Sequence, residues 1–588
     1  MGFFKNHSSK LLPLFFLSYA LFCLVFETSF IGLGLDFTDE GWHLSKFMFP
    51  EAVTASVLRD HLYSSILFKW VNYDIQSLRA LNLLFLVCSS FIFSRGLYSW
   101  CTQNKFSLSQ SAWVLQAVLF ASTLLWQLPT SYMERIPAYN NLSSFLILSC
   151  IGLAMCNAYR KNSNSRNWII VGILSALALI IRPPSGLALH LFLVIFLIIQ
   201  TSFKELKSIF LKISAGFTVA FIFHFLFIES ASDFMSTSMG GMAFEKSLLN
   251  QLGFHTLERY FWELFVNVKF ALGYNKFNLL CLSALSLLLP RYLLAIIFLG
   301  IIATTINFYL IGDLNGGSAL GMYIWRYYFS LASVIYICIL MAWLGNKNYY
   351  KLNLLPDKRS LGLISLYMVS PILFAAGTHT PIISNMNFYT SFFWVGMLLF
   401  LITVFKDYLV NRITTVTTFL FCLTLASSHS LIHGRNYEPF YSIDLHSAIT
   451  AKELTAHSTV GRSQLRIGTE NDRLLKFLTK IFDNETVSNL HYCINFTAPA
   501  YNYHIGVPHP VQPWTAFSKN NFTLENIDQD SFKRSAIIWN SPNALLLEQL
   551  GSHFPDWQTT HKLAGTVDWY YHEDKITLLV YLPNMIND

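Results

Sequence analysis

Long apolar stretches alternate with short polar, often basic, segments from Leu11 to Ser428, and there the pattern stops. An α-helix of roughly 20 apolar residues crosses about 30 Å of hydrocarbon, and only within such a segment does the backbone satisfy its own polar groups in lipid. The pattern predicts thirteen spans, near 11–35, 80–98, 109–128, 141–158, 167–182, 186–203, 208–228, 276–289, 292–311, 326–344, 360–376, 388–405 and 413–428. The stretch 276–289 is the shortest, and WELFVNVKFALGY before it reads equally well as an interfacial helix. Beyond 428, short apolar runs are interspersed with Asn, Asp, Glu, Lys and His, as in a water-exposed folded domain. There ENDRLLKFLTKIF (Glu470 to Phe482) has helical spacing, RSAIIWNSP reads as a buried strand ending in a turn, and VDWYYHEDKITLLVYLP reads as a hairpin turning at HEDK. The predicted fold class is an α-helical polytopic membrane protein, residues 1–428, followed by a soluble α/β domain, residues 429–588.

Composition agrees. The 588 residues are 54% hydrophobic and 12% charged, whereas soluble domains carry about 25% charge. Lys and Arg near span ends mark the cytoplasmic side. Lys5 and Lys10 place the N-terminus inside, and alternation then puts Arg95 and Lys105, YRKNSNSR, KELK, Arg291, NKNYYKLNLLPDKR and KDYLVNR inside too. An odd number of spans leaves the C-terminal domain outside, with the loops holding Asp39, Glu134, Glu229 to Arg259, Asp313 and His379. The first apolar stretch exceeds a signal-peptide core and has no convincing small-residue cleavage site, so it reads as a retained helix. The net charge of +7 reflects cytoplasmic loops and argues for no nucleic-acid partner. Most of the nine Cys fall in spans, and Cys493 alone in the outer domain offers no disulfide framework. No phosphate-cradling Gly-rich loop and no metal-ligand spacing such as HExxH occurs.

The densest chemistry is GLGLDFTDEGWHL, in which Asp36, Asp39 and Glu40 directly follow the first span. Carboxylates there stand where a membrane helix meets water, within reach of a lipid-borne and an aqueous substrate together. Moving a sugar from a polyprenyl phosphate requires a carboxylate to take the proton of the attacking group, and cationic or amide groups to hold the departing phosphate. The plain alternative is that these acids only mark the interface. Interleaving with Trp42 and His43 in DFTDEGWHLSKFMFP instead suits a segment lying on the membrane.

An N-inside first helix followed at once by DEG resembles the GT-C superfamily of integral-membrane glycosyltransferases, particularly the branch of protein O-mannosyltransferases and aminoarabinose transferases. YDIQSLRALNLLFLVCSSFIFSRGLY (Tyr73 to Tyr98) is similar to that branch's segment with an Arg before the second helix, so Arg79 matches its Arg. GILSALALIIRPPSGLALHLFLVIFLII (Gly172 to Ile199) looks like the stretch ending in Lys-Gly-Pro, here Arg182, Pro183 and Pro184. The resemblance covers about the first two hundred residues. It implies a GT-C fold, a lipid-linked donor rather than a nucleotide sugar, and inversion at the sugar carbon. The branch's first outer loop carries a Lys-Pro-Pro whose Lys faces the donor phosphate. Here LRDHLYSSILFKW departs from it and leaves Arg59, His61 or Lys69 as substitutes. Where the branch often has a second outer-loop Asp, this chain has SYMERIPAYNNLSSF, with Glu134 upstream and Asn140 and Asn141 near the expected place. An amide can bind substrate but cannot act as a base, so Asp39 is the first choice for the base, Glu40 the second and Asp36 the third. The three acids can ligate a divalent cation or work without one; no other cofactor is implied.

Other candidates carry two readings each. Arg182, where two prolines follow a helix end, can pair with a phosphate or simply snorkel. Arg135 can pair with Glu134. FHTLERYFWE (Phe254 to Glu263), with His255, Glu258, Arg259 and Glu263, can line an acceptor site or form an ordinary juxtamembrane helix. Arg326 follows the Gly-rich GDLNGGSALG, a substrate-gated loop or a turn. His379 reads as non-catalytic. In the outer domain Tyr501, Tyr503, Trp514 and Trp539 read as core before sugar-stacking platforms, and Asn484, Asn495 and Asn521 begin glycosylation-type triplets.

The expected activity is transfer of a sugar from a polyprenyl-phosphate donor to a cell-envelope glycan, lipid or protein at the periplasmic face of a bacterial inner membrane. A carrier or flippase for lipid-linked sugars is the main rival, but it calls for charges at mid-bilayer, of which there are few. An O-antigen polymerase-like enzyme more typically relies on Arg-rich outer loops.

Overall fold

The computed structural model describes residues 2–584 except 38, 104–111, 131–133, 160–165, 250–253, 311–319, 346–357, 378–381, 406–415, 419, 422, 425–427, 429–431, 433–439, 442–447, 450–453, 497, 511–521, 542–543 and 572–573. Among the described residues eight helices are long and apolar enough to cross a membrane: Leu11–Thr28, Ile75–Gln103, Tyr139–Ala158, Pro183–Gln200, Phe203–Phe227, Pro290–Leu310, Ile324–Gly345 and Ile382–Val404. Three more, Ala112–Gln127, Asn167–Ile181 and Lys276–Leu288, are apolar but shorter. Lys358–Ala375 is also helical; half of the thirteenth expected span, 413–428, lies outside the described residues, and the described half is helical. The chain is therefore a mostly helical, multi-pass membrane protein. Its large exposed apolar residues, among them Phe22, Val25, Phe223, Phe227, Ile302 and Leu310, sit on these helices, where lipid rather than water is the solvent.

Eleven of the described helices position the site and its surroundings. They are α1 (Gly2–Thr28), α2 (Asp39–Met48), α3 (Asp60–Trp70), α4 (Ile75–Gln103), α5 (Ala112–Gln127), α6 (Tyr139–Ala158), α7 (Arg166–Ile181), α8 (Pro183–Gln200), α9 (Phe203–Phe227), α10 (Ala231–Leu249) and α11 (Phe254–Tyr274). The first span ends at Thr28, short of the expected Leu35. Residues 29–37 leave the helix, and Gly34 takes the left-handed φ of 61° that lets the chain turn into α2. Two short helices, α2 and α3, thus lie between the first two long ones. At the other hinge, Arg182 adopts an extended backbone and Pro183 occupies the first turn of α8, where its missing N–H costs no hydrogen bond. Close helix packing depends on small residues: a Cβ on Gly172 would stand 2.1 Å from the Ile213 carbonyl and one on Gly216 2.0 Å from that of Ile169, so α7 and α9 touch backbone to backbone.

The C-terminal region holds strands β1 (Phe440–Tyr441), β2 (Ala448–Ile449), β3 (Ala456–Val460), β4 (Ser463–Ile467), β5 (Tyr492–Asn495), β6 (Ser535–Ser541), β7 (His561–Tyr571) and β8 (Asp574–Pro583). The main sheet has the order β5-β6-β8-β7; its first pair is parallel and the other two are antiparallel. The expected helix is present at Thr469–Ile481, the expected strand is β6, and the expected hairpin is β7–β8, with Tyr571 opposite Asp574. Alternation along β6 separates two apolar layers. Ala536 and Ile538 face Leu474, Leu475 and Leu478, while Ile537 and Trp539 face Leu550, Phe554 and Trp557. Tyr501, Tyr503 and Trp539 are core; Trp514 lies outside the described residues. Asn495 is buried, donating to the Ala498 carbonyl and the Asn502 side chain, so it has no surface to offer a glycan.

The first of these layers does not stop at the domain boundary. The same apolar cluster takes in Leu35, Phe37, Leu44, Phe47, Phe68, Ile75 and Leu78, so the C-terminal sheet domain and the loops between α1 and α4 share one core.

Candidate active site

The acidic loop is held from both sides. From the membrane side, Arg79 on α4 donates to the carbonyls of Ile31 and Gly34, and Arg135 to those of Phe30 and Gly34. From the C-terminal domain, the Gly34 N–H donates to the Arg466 carbonyl at 2.7 Å, and the Arg466 N–H returns a bond to Gly32 at 3.0 Å. The Ala500 N–H reaches the Phe37 carbonyl, and Gly41 abuts Ala500 so closely that a Cβ on it would lie 2.5 Å from the alanine methyl.

Helix α2 then separates the acids, because neighbouring residues point about 100° apart round a helix. Glu40 turns inward, and its carboxylate receives Arg79 Nε and Nη2, each at 2.7 Å. Burial alone would raise its pKa, but the Arg79 and Arg135 charges, with hydrogen bonds from Arg79 and the Asp36 N–H, hold it below the ordinary glutamate value. Glu40 is thus an ionised structural partner, and Arg79 is saturated by it and by backbone carbonyls. The expected roles of Glu40 in proton transfer and of Arg79 in substrate binding do not fit this arrangement. Asp39 instead remains exposed. The protein crowding around it, and the neighbouring Asp36 charge, push its pKa up to about 7.

A second carboxylate belongs to the same locale. Glu134 accepts from the Asn140 side-chain amide and the Asn141 N–H. Burial pushes its pKa up to about 8 against those donors and the Arg182 charge, while the Asp39 charge adds to the rise. Glu134 therefore senses Asp39 and Arg182 together. Arg182 is 1% exposed. It lies over the Tyr139 ring at 5.5 Å and donates through Nη1 to Tyr389 at 3.1 Å, and among the described residues its Nη2 has no partner. A buried guanidinium with an unused N–H beside two carboxylates of raised pKa is suited to an anion that arrives with substrate.

Sequence reasoning missed a polar cluster beside it, although Asp39, His43 and Lys46 follow the i, i+4, i+7 spacing of a helix face. The His43 ring lies against that of Tyr139, tilted by 48° with the centroids 5.6 Å apart. His43 Nδ1 lies 3.4 Å and Lys46 Nζ 3.5 Å from the two Asp60 oxygens, all three side chains being buried. Lys46 also lies 4.2 Å over Trp42. For Asp60, burial would raise the pKa, yet Lys46 and the two histidines hold it well below the usual range. His61 is driven down to about 3 by burial and the Lys46 charge, which leaves it neutral.

The remaining expected donor ligands are elsewhere or already engaged. Arg59 is fully buried, with Nε 2.7 Å from Glu229, further bonds to the Ser56 and Phe234 carbonyls and Ser238, and its guanidinium over the Phe234 ring. It ties α3 to α10 and has no donor left for a phosphate. Lys69 is exposed at the far end of α3. Arg259 lies 3.4 Å from Glu263 in an i, i+4 pair within α11, and Arg326 donates to Asn267 of α11 at 2.8 Å. The side chain of His255 and all of His379 lie outside the described residues. Asp36 contributes its backbone to α2, accepting the Gly41 N–H. The three first-loop acids do not converge on one point, because Glu40 is turned to Arg79. Among the described residues no group of three or more His, Cys, Asp and Glu is arranged to hold a metal ion.

Compared with known proteins, the chain matches no family model and no curated relative.

Proposed function

We propose that the protein is an inverting glycosyltransferase that moves a sugar from a polyprenyl-phosphate donor to a hydroxyl or amine of a cell-envelope glycan, lipid or protein. The observation that carries the reading is the meeting of Asp39, Glu134 and Arg182 where α2, the loop before α6 and the α7–α8 hinge come together at one end of the membrane helices. The resemblance of DEG, Arg79 and Arg182-Pro183-Pro184 to the GT-C glycosyltransferases supports it. The distribution of Lys and Arg favours an N-terminus in the cytoplasm and a site at the periplasmic face of a bacterial inner membrane.

In this reading Asp39 is the base. Ionised, it takes the proton of the acceptor group as that group's lone pair attacks the anomeric carbon. The bond from that carbon to the phosphate oxygen breaks on the opposite side, which inverts the centre, and the electron pair leaves with the polyprenyl phosphate. Arg182 Nη2 offers the departing phosphate a charge-assisted hydrogen bond. Glu134, protonated near neutral pH, can donate a hydrogen bond to either substrate without adding negative charge. The test is sugar transfer by the purified protein from a panel of polyprenyl-phosphate sugars to cell-envelope extract. The expected result is turnover by wild type, loss in Asp39→Asn, and loss of donor affinity in Arg182→Ala. No transfer from any donor, or full turnover in Asp39→Asn, sinks the proposal.

A further inference from the structure

The end of the molecule opposite the acidic site carries a cluster that the transfer reaction does not use. Helix α9 runs from that end toward Glu229, which meets Arg59 beside the acidic loop. At its beginning, Lys204, Lys207 and Lys212 line a cleft of about 510 Å³ with Ser208, Leu211 and Ala215, and Ile169 of α7 forms the facing wall. At 100° per residue all six α9 positions fall within an arc of about 140°, and Glu205, the helix's sole acid, lies just beyond its edge, about two turns before Lys212. Among the described residues none of the three lysines has a carboxylate within ion-pair distance. The cleft is amphipathic. Leu211 is 64% exposed, and the backbone contact of α7 with α9 at Gly172 and Gly216 closes its inner end.

A charge that only sets topology belongs at the helix end. Lys212 lies eight residues past Lys204, about 12 Å further along the axis, inside a helix long and apolar enough to span the membrane. An ammonium group at that depth is costly unless it snorkels or meets an anion. On this face the route outward leads along Ser208 to the other two lysines. We propose that the cleft binds the phosphodiester headgroup of an anionic glycerophospholipid, with Lys204, Lys207 and Lys212 holding the phosphate and Leu211, Ala215 and Ile169 contacting the first acyl carbons. Basic clefts between membrane helices hold such headgroups by charge, and adjoining apolar walls hold the chains. This site is independent of the sugar-transfer reading.

The test is equilibrium retention of pyrene-labelled phosphatidylglycerol, against pyrene-labelled phosphatidylcholine, by purified full-length protein in neutral detergent. Wild type is expected to favour phosphatidylglycerol by about tenfold to a hundredfold, the upper figure being that of three lysines acting in full on one anionic headgroup. Lys204→Gln/Lys207→Gln/Lys212→Gln abolishes that preference, the triple Arg variant keeps it, and Lys358→Gln/Arg359→Gln, at a different helix start, leaves it intact. Equal retention of the two lipids by wild type overturns the proposal, as does undiminished preference in the triple Gln variant. Displacement of the labelled lipid by equimolar glycerol phosphate also overturns it, by making the cleft a site for free anions. Because the lysines are on the surface, a monodisperse elution profile is expected for every variant, and the Arg variant separates loss of charge from loss of fold.

Discussion

Asp39 and Glu40 are neighbours, yet neutralising them should have opposite consequences. Glu40→Gln leaves Arg79 buried without its counter-charge. Removing one partner of a buried pair costs about 3–5 kcal/mol. Arg79 keeps the carbonyls of Ile31, Leu33 and Gly34, which places this case near 3 kcal/mol, roughly a hundredfold in the folding equilibrium. Asp39 is exposed and anchors nothing comparable, so Asp39→Asn should leave stability within about 1 kcal/mol while removing a general base worth about 10²–10⁴ in rate. The assay pairs unfolding in detergent, followed by tryptophan fluorescence, with turnover per folded molecule. Glu40→Gln is expected to unfold earlier, with turnover of its folded fraction within about tenfold of wild type; Asp39→Asn is expected to be stable and nearly inactive. Wild-type stability with lost turnover in Glu40→Gln would overturn the division of labour argued here.

Other outcomes follow from the same geometry. If Asp39 is the base in its ionised form, as proposed, its pKa of about 7 means that turnover should climb as pH rises through 7. Glu134, raised from 4.5 to about 8, binds its proton more tightly folded than unfolded. Its contribution to stability is therefore complete below pH 4.5 and lost as pH rises through 8, and Glu134→Gln should flatten that decline in pH-dependent unfolding. Arg182→Lys, which cannot reproduce the planar fork, should lower kcat/KM about 10- to 100-fold with donor affinity taking most of the loss, read from initial rates against donor concentration. Gly41→Val collides with Ala500 and should free the C-terminal domain from α2, seen as faster hydrogen exchange at Gly34 and Ala500.

What was legible in the sequence follows from the range of each interaction. Spans announce themselves locally, since every residue of an apolar helix reports the same solvent, and α9 or the helix Thr469–Ile481 is found within its own length. The location of the acidic loop was legible for the same reason. Which acid does chemistry was not, because Asp39 and Glu40 differ by a rotation about α2 whose reference is Arg79, 39 residues beyond Glu40. Arg59 has the local context of a phosphate ligand, but Glu229, 170 residues away, occupies it. Glu134 stands upstream of the expected acid, and Asn140 and Asn141, near the expected place, hold its carboxylate. The cluster of His43, Lys46 and Asp60 was half visible, since two members share the Asp39 face of α2 and the third arrives from α3.

The acidic loop bears on the C-terminal domain as well as on the membrane helices. Its carbonyls at Phe30, Ile31 and Gly34 are consumed by arginines of the membrane half, while its edge at Gly32 and Gly34 pairs with Arg466 of β4 and its carbonyl at Phe37 with Ala500. A loop with few residues in regular structure holds a carboxylate in place only when its backbone groups are bonded on both sides, since each unmade buried bond costs about 1–3 kcal/mol. The shared apolar core of Leu35, Phe37, Leu44, Val460 and Tyr501 extends the same connection. The C-terminal domain is thus a structural component of the site, and deleting residues 429–588 should remove the geometry at Asp39 even if every membrane helix stays folded.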